Sequence, residues 1–221
     1  MPLQAKAKMN LSELRDAFRI RADDRAKPYL WSDEEIDFYL NEAESEAAQR
    51  ALLIQDEAIE IAVDASGGVY DLNTSVLKIR RAKRSDGTVL ILTSRDRLDA
   101  EWAGWETATG TPAFIIDNGD GTATAVPIPV VSDTITLSVY RLPLTSMVSD
   151  TDVPEIHSRY HYRMLDWALH LAYLKHDADA FDQAAADRHE AAFERSYGYM
   201  HTANAQRKQR DKRPPIVRTN W

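Results

Sequence analysis

A chain of 221 residues, 44% hydrophobic and 28% charged, carries enough apolar material to bury the core of one domain or of two small halves. It has no cysteine, which excludes a disulfide framework and thiolate chemistry and suits a reducing compartment or a particle assembled in one. Its formal net charge of −8 argues against general DNA binding by the body of the protein, no apolar run approaches the ~18 residues of a membrane helix, and the opening MPLQAKAKMN lacks the apolar stretch of a secretory signal.

The first predicted element is a short helix capped by Asn10, with Leu11, Leu14 and Phe18 on one face. RADDRAKP ends it, because Pro28 disfavours helix at Lys27. A longer helix follows. Ser32 and Glu35 form a capping box, Asp33 and Glu34 sit at the positive helix end, and Leu30 and Trp31 precede the cap as a staple. Ile36, Leu40, Ala43, Ala47, Ala51, Ile54 and Ala58 make a narrow, Ala-rich stripe that lets another helix approach closely. The opposite face is acidic through Asp37, Glu42, Glu44 and Glu46, and reads either as solvated surface or as an electronegative wall.

From about residue 57 the period changes to two. AIEIAV, VLKIRRA, TVLILT, PAFIID, TATAVPI and DTITLSVYRL are strand-like and rich in β-branched residues. SRDRLDAEW at 94–102 interrupts them as a short helix, and DNGDG at 117–121 is a hairpin turn. That turn is not a calcium loop, since Gly119 and Gly121 stand where carboxylates are needed. Pro154 opens a second helical region. Ile156, Tyr160, Met164, Trp167, Leu171 and Leu174 predict a long helix; Asp177 or Asp179 then caps another that carries Phe181, Ala184, Ala185, Ala192 and Phe193 and ends near Gly198.

Catalytic and metal chemistry find little support. His157 and His161 have metal-ligand spacing on a helix, but HSRYH lacks the Glu of the zinc-protease motif, and there is no cysteine to complete a structural site. No nucleophile elbow, P-loop or dinucleotide fingerprint occurs, and no nucleophile, base and orienter can be placed together. No cofactor is expected.

The last residues differ in kind. Residues 201–221 hold six Lys/Arg and one Asp, a local charge of +5, so residues 1–200 sum to −13. Arg207, Lys208, Arg210, Lys212, Arg213 and Arg218 would steer this strip toward an acidic partner. Pro214 and Pro215 stiffen it, and Ile216, Val217 and Trp221 offer apolar anchors. The plain alternative is a disordered basic tail that aids solubility.

Taken in order, PYLWSDEEIDFYLNEAESEAAQRALLI, VLKIRRA, RLDAEWAGWETATGTPAFIID, YRLPL and IHSRYHYRMLDWALHLAYLKHDADAFD resemble the head-to-tail adaptor proteins of tailed bacteriophages, from about Leu11 to Tyr197. The resemblance implies a structural virion protein with no catalytic residues, assembled in the bacterial host cytoplasm and placed at the head-tail junction. Its copies would form a ring, usually of twelve, that joins the portal to the tail or nozzle proteins. Genome DNA would pass through without specific binding, and a C-terminal extension would dock into the portal. The fold expected is α+β. Residues 1–56 and 146–200 supply a helical bundle, residues 57–145 a small antiparallel β unit, and residues 201–221 an extended basic docking arm. Asp37, Glu42, Glu44, Glu46, Glu57 and Glu60 are the acidic residues expected to face the DNA channel or its approach. The rival readings are another tail-completion protein, a DNA-binding module using the basic arm, and a metal-dependent hydrolase using the histidine-rich helix.

Overall fold

The structure, a computed structural model, describes residues 8–177 and 179–200. Five α-helices and nine strands in those residues fall into two compact units, a helical one from residues 8–54 and 141–200 and a β unit from residues 55–140. The fold is α+β, as the sequence predicts.

In the helical unit, α1 (Leu11–Ala22) begins at Asn10, whose side chain accepts from the Glu13 amide while Glu13 returns the bond to the Asn10 amide. Ser32 and Glu35 do the same at the start of α2 (Asp33–Ala51). Each helix stops at a residue in the left-handed region, Asp23 (φ 55°) and Leu52 (φ 50°). The Ala-rich stripe of α2 therefore ends at Ala51: Ile54 is already the first residue of a strand, and Ala58 lies within it. Of the two residues before the cap, Trp31 is buried and Leu30 is exposed. The Trp31 ring meets Phe18 and Tyr173 edge-on at 5.7 and 5.6 Å, and its Nε1 donates to the Ala172 carbonyl at 3.2 Å.

The central helix is α4 (His161–Tyr173), which packs on α1, α2 and α5 (Gln183–Tyr197). It starts later than the sequence predicts. Ile156 and His157 precede it in a run of turns, and Tyr160 is its N-cap, so the expected stripe of six residues does not lie on one helix. The cap of α5 is Asp182, not Asp177 or Asp179. Its side chain accepts from the Ala185 amide, so Phe181 precedes the helix and Ala184 on its first turn is exposed. Small residues on α2 and α4, Ala43, Ala47, Ala48, Ala168 and Ala172, are all fully buried and permit close approach of the two helices.

The β unit departs from expectation in size and in direction. Its sheet has seven strands in the order β1-β9-β3-β4-β6-β7-β2, from β1 (Ile54–Val63), β2 (Val69–Asp71), β3 (Val76–Arg84), β4 (Val89–Thr93), β6 (Phe114–Asp117), β7 (Thr122–Val126) and β9 (Asp133–Arg141). A two-stranded pair joins β5 (Thr109–Gly110) to β8 (Ile128–Pro129). The sheet is mixed, because β4 and β6 run parallel, Ile91 opposite Phe114 and Thr93 opposite Ile116. A parallel pair cannot be joined by a tight turn and needs a crossover of about a dozen residues or more. The short helix read as an interruption, α3 (Arg95–Glu101), lies in that crossover. One face of the sheet buries Ile61, Val63, Ile79, Leu90, Ile115, Ile135, Leu137 and Val139. On the other, Leu98 and Trp105 cover Ile116 and Val126. The DNGDG turn joins β6 to β7 with Gly119 and Gly121 at positive φ (70° and 89°), and its tip is exposed.

Polar groups inside the helical unit are bonded across helices. Asp166 of α4 accepts from Arg21 of α1 and from Nδ1 of His189 of α5 at 3.1 Å. Burial opposes its ionisation, but these two bonds and charges outweigh it and hold the carboxyl below the usual carboxylate range. Asp166→Ala leaves both donors without their acceptor. We expect a loss of roughly 2–3 kcal/mol, read as a lower urea midpoint at unchanged m-value; an unchanged midpoint would show that the three-helix contact contributes nothing.

Candidate functional site

The residues singled out from the sequence do not form one surface. Those of the arm, Arg207, Lys208, Arg210, Lys212, Arg213, Pro214, Pro215, Ile216, Val217, Arg218 and Trp221, lie outside the described residues. Of the six acidic residues, four are in the helical unit and two in the β unit. Asp37 is half-buried and bound by Arg15, Nε to Oδ1 at 2.7 Å and Nη2 to Oδ2 at 3.1 Å. Glu46 pairs with the buried Arg50 at 2.6 Å, and Arg50 lies over the rings of Trp167 and Phe193. Glu42 is exposed on α2, as are Glu57 and Glu60 on β1.

Glu44 corrects the expectation of a uniformly acidic outer face on α2. It is 1% exposed, and its Oε1 accepts from the amides of Glu155 and Ile156 at 2.5 and 3.3 Å. Those bonds tie α2 to the turn that precedes α4. Helical periodicity placed Glu44 correctly one residue from Ala43, but it could not show that a second segment, 154–156, packs over that side of the helix. A cavity of about 70 Å³ borders the carboxylate, lined also by Asn41, Ser45 and residues 143–146.

The histidines are structural partners. Nδ1 of His161 accepts from the Met9 amide at 3.1 Å, so Nε2 carries the proton and donates to the Ile156 carbonyl at 2.9 Å. Burial lowers its pKa and keeps the ring neutral. His157 lies outside the helix, so the four-residue spacing to His161 has no helical meaning here. His170 donates Nδ1–H to the Ala186 carbonyl at 3.0 Å, beneath a stacked Trp167. Among the described residues no three His, Asp or Glu side chains gather as a metal site. A second cavity, about 270 Å³, opens between the start of α3 and the DNGDG turn; its polar groups serve the turn, with Asp117 accepting from Gly119 and Ile79 amides and Asp120 from Thr122.

One surface was missed by sequence reasoning, which read VLKIRRA only as a strand. The α3 cluster covers β6 and β7 and stops there. On the neighbouring β4, Val89 and Ile91 are 48% and 52% exposed. Beside them β3 carries Lys78, Arg81 and Lys83, whose side chains have no hydrogen bond or ion pair among the described residues. Lys83 lies opposite Val89 in the ladder. The signal in the sequence is five Lys/Arg within residues 78–84 of a strand.

A family model described as SU10 adaptor protein matches residues 9–219. None of the curated proteins matches the chain.

Burial pushes the Glu44 carboxyl up to about 7, against the two amide bonds that favour its charge, and the Glu155 carboxylate adds to the rise. A carboxyl with a raised folded pKa stabilises the fold when protonated. That contribution is whole below the ordinary carboxyl value of 4.5 and is lost as pH rises through about 7. Glu44→Gln keeps the acceptor oxygen and cannot ionise. We expect it to match the parent at pH 4.5 and to exceed it by roughly 1–3 kcal/mol at pH 8. Thermal melts at the two pH values check this; parallel pH profiles would mean that Glu44 is not proton-linked to folding.

Proposed function

The chain belongs to the SU10 adaptor protein family, a phage head-tail adaptor family, and from this premise we propose that it is the ring-forming connector between portal and tail, with the basic C-terminal strip as its portal-docking arm. The family is one of structural adaptors and not of enzymes. The observation that carries the finer reading is the extent of the match. It runs from residue 9, just before the first cap, to residue 219, and so includes every charged residue of the +5 strip, whose charge opposes the −13 of the rest.

The architecture supports this role. A connector must hold its shape under load, and the helical unit is cross-tied by groups that leave no helix free to slide. Arg50 pairs with Glu46 on its own helix and reaches Glu194 of α5 at 3.9 Å, and Arg15 joins α1 to α2 and to Asp150. No helix among the described residues is long and apolar enough to cross a membrane. On this reading the strip reaches the portal with its cations against acidic groups and with Ile216, Val217 and Trp221 in apolar sites. The exposed carboxylates Glu42, Glu57 and Glu60 face the DNA path or the neighbouring copy, where phosphates would be repelled rather than held.

The charged and apolar parts of the strip separate kinetically. Neutralising Arg207, Lys208, Arg210, Lys212 and Arg213 slows association with the portal and flattens its salt dependence. Trp221→Ala speeds dissociation, weakening binding by about 2 kcal/mol or more. Truncation after Ala203 yields a folded subunit that no longer binds the portal. Equal portal affinity of truncated and full-length proteins, measured by biolayer interferometry, would refute the docking arm; a steep salt-dependent affinity for duplex DNA that the truncation removes would move the strip to the DNA-binding reading.

A further inference from the structure

We propose that neighbouring copies of this chain meet head to tail, the acidic edge strand β1 of one against the basic and apolar face of β3 and β4 of the next. This rests on the ring-forming reading above and names the surfaces that would make the ring.

Two features of the β unit are incomplete in the single chain. The first is the open face of β3 and β4. Val89 and Ile91 point the same way as Phe114, which Trp102 covers, yet they themselves are left in solvent. A strand that is part of a sheet's interior in its ladder and half-exposed in its apolar side chains gains by being covered. Lys78, Arg81 and Lys83 beside it define the chemistry of the cover as acidic.

The second feature is β1. It stands at the end of the sheet order with β9 as its one strand neighbour among the described residues, and at ten residues it is far longer than β2, the three-residue strand at the other end. An edge of that length invites pairing with its twin. Its exposed residues forbid it. Glu57 and Glu60 would be brought against the same carboxylates of the other copy, and like charges across a ladder are unfavourable. The same residues suit β3. Glu60 has no cation partner among the described residues, and Glu57 reaches Arg80 only at 3.9 Å. Ala58 and Ala62, also exposed, leave the strand flat enough beside the acids for Val89 and Ile91 to approach.

A contact between two different patches is heterologous. It propagates from copy to copy and closes when the rotation permits, whereas a contact of β1 with itself would stop at two. The charge pattern thus selects the kind of association that gives rings.

The absence of native cysteine makes the test direct. Two full-length single-cysteine variants, Ala58→Cys and Val89→Cys, leave every charge in place. Each is treated with a short bis-maleimide alone and in equimolar mixture, under conditions where light scattering reports the mass of the untagged parent. The expected result is cross-linking between the two variants in the mixture and little within either variant alone. Dominant cross-linking within one variant, or none above a cysteine-free control while the parent assembles, overturns the surface assignment and leaves the ring reading standing. A parent that stays monomeric, both free and on portal-bearing heads, overturns the ring reading and this contact with it. Charge reversal gives an independent readout. Glu57→Lys with Glu60→Lys should weaken self-association about 100-fold, and mixing with Lys78→Glu, Arg81→Glu, Lys83→Glu protein should restore it. Melting curves confirm that the variants fold, and reversal that leaves the assembled mass unchanged counts against the contact.

Discussion

Enclosure of α4 is the constraint on which the helical unit depends. Eight of its thirteen residues are buried, and three of those eight are Asp166, His161 and His170. A helix packed on several sides cannot leave a polar side chain unbonded, since each orphan costs on the order of 1–3 kcal/mol. The segment before α1, α1 itself and α5 therefore each supply a specific partner. The segment before α1 gives the Met9 amide, α1 gives Arg21, and α5 gives His189 and the Ala186 carbonyl. The bonds fix how the neighbours are rotated about α4 in a way that the alanines between α2 and α4 alone would not.

Charge in the helical unit is organised by arginines. Arg19 is the clearest case: buried, it binds Asp24 at 2.7 Å, Asp33 at 2.6 Å and the Trp31 carbonyl at 3.2 Å, with Tyr29 stacked over its guanidinium. The whole connection from α1 to α2 is wrapped around one side chain. Arg15, Arg21 and Arg50 likewise spend acidic groups inside the unit. The excess of acid over base in the body is thus not a uniform negative surface. Much of it is internal mortar.

Legibility followed the range of the interactions. Caps and short-range patterns were readable: Asn10, Ser32 with Glu35, Ser94 before α3, and the DNGDG turn all act within four residues in sequence. What was not readable depended on distant segments. Ile54 and Ala58 keep the helical spacing of the Ala-rich stripe of α2, but they belong to β1, where strand pairing with β9 overrides that periodicity. β2, β5 and β8 are two or three residues long and too short to show alternation. The parallel pairing of β4 and β6 is a property of the crossover, and no local pattern encodes it. Of the site, the acidic set was legible as composition only. Whether a carboxylate is buried like Glu44 or exposed like Glu42, two residues away, is decided by what packs over it.

The order of elements along the chain has a consequence for biosynthesis. All the strands that fill the apolar face of the sheet lie within residues 54–141, so the β unit has its complete set of partners soon after that stretch leaves the ribosome. The helices made before it do not. Leu14, Phe18, Trp31, Ile36 and Leu40 belong to a core that also takes residues of α4 and α5, and the last of these ends at Tyr197. The first two helices must therefore wait, with their apolar faces unmatched, while some hundred residues are translated and folded between them and their partners. The small, Ala-rich character of α2 limits how much sticky surface is shown in that interval. A stripe of leucines would pack as well in the finished subunit and would be a far greater hazard in the nascent one.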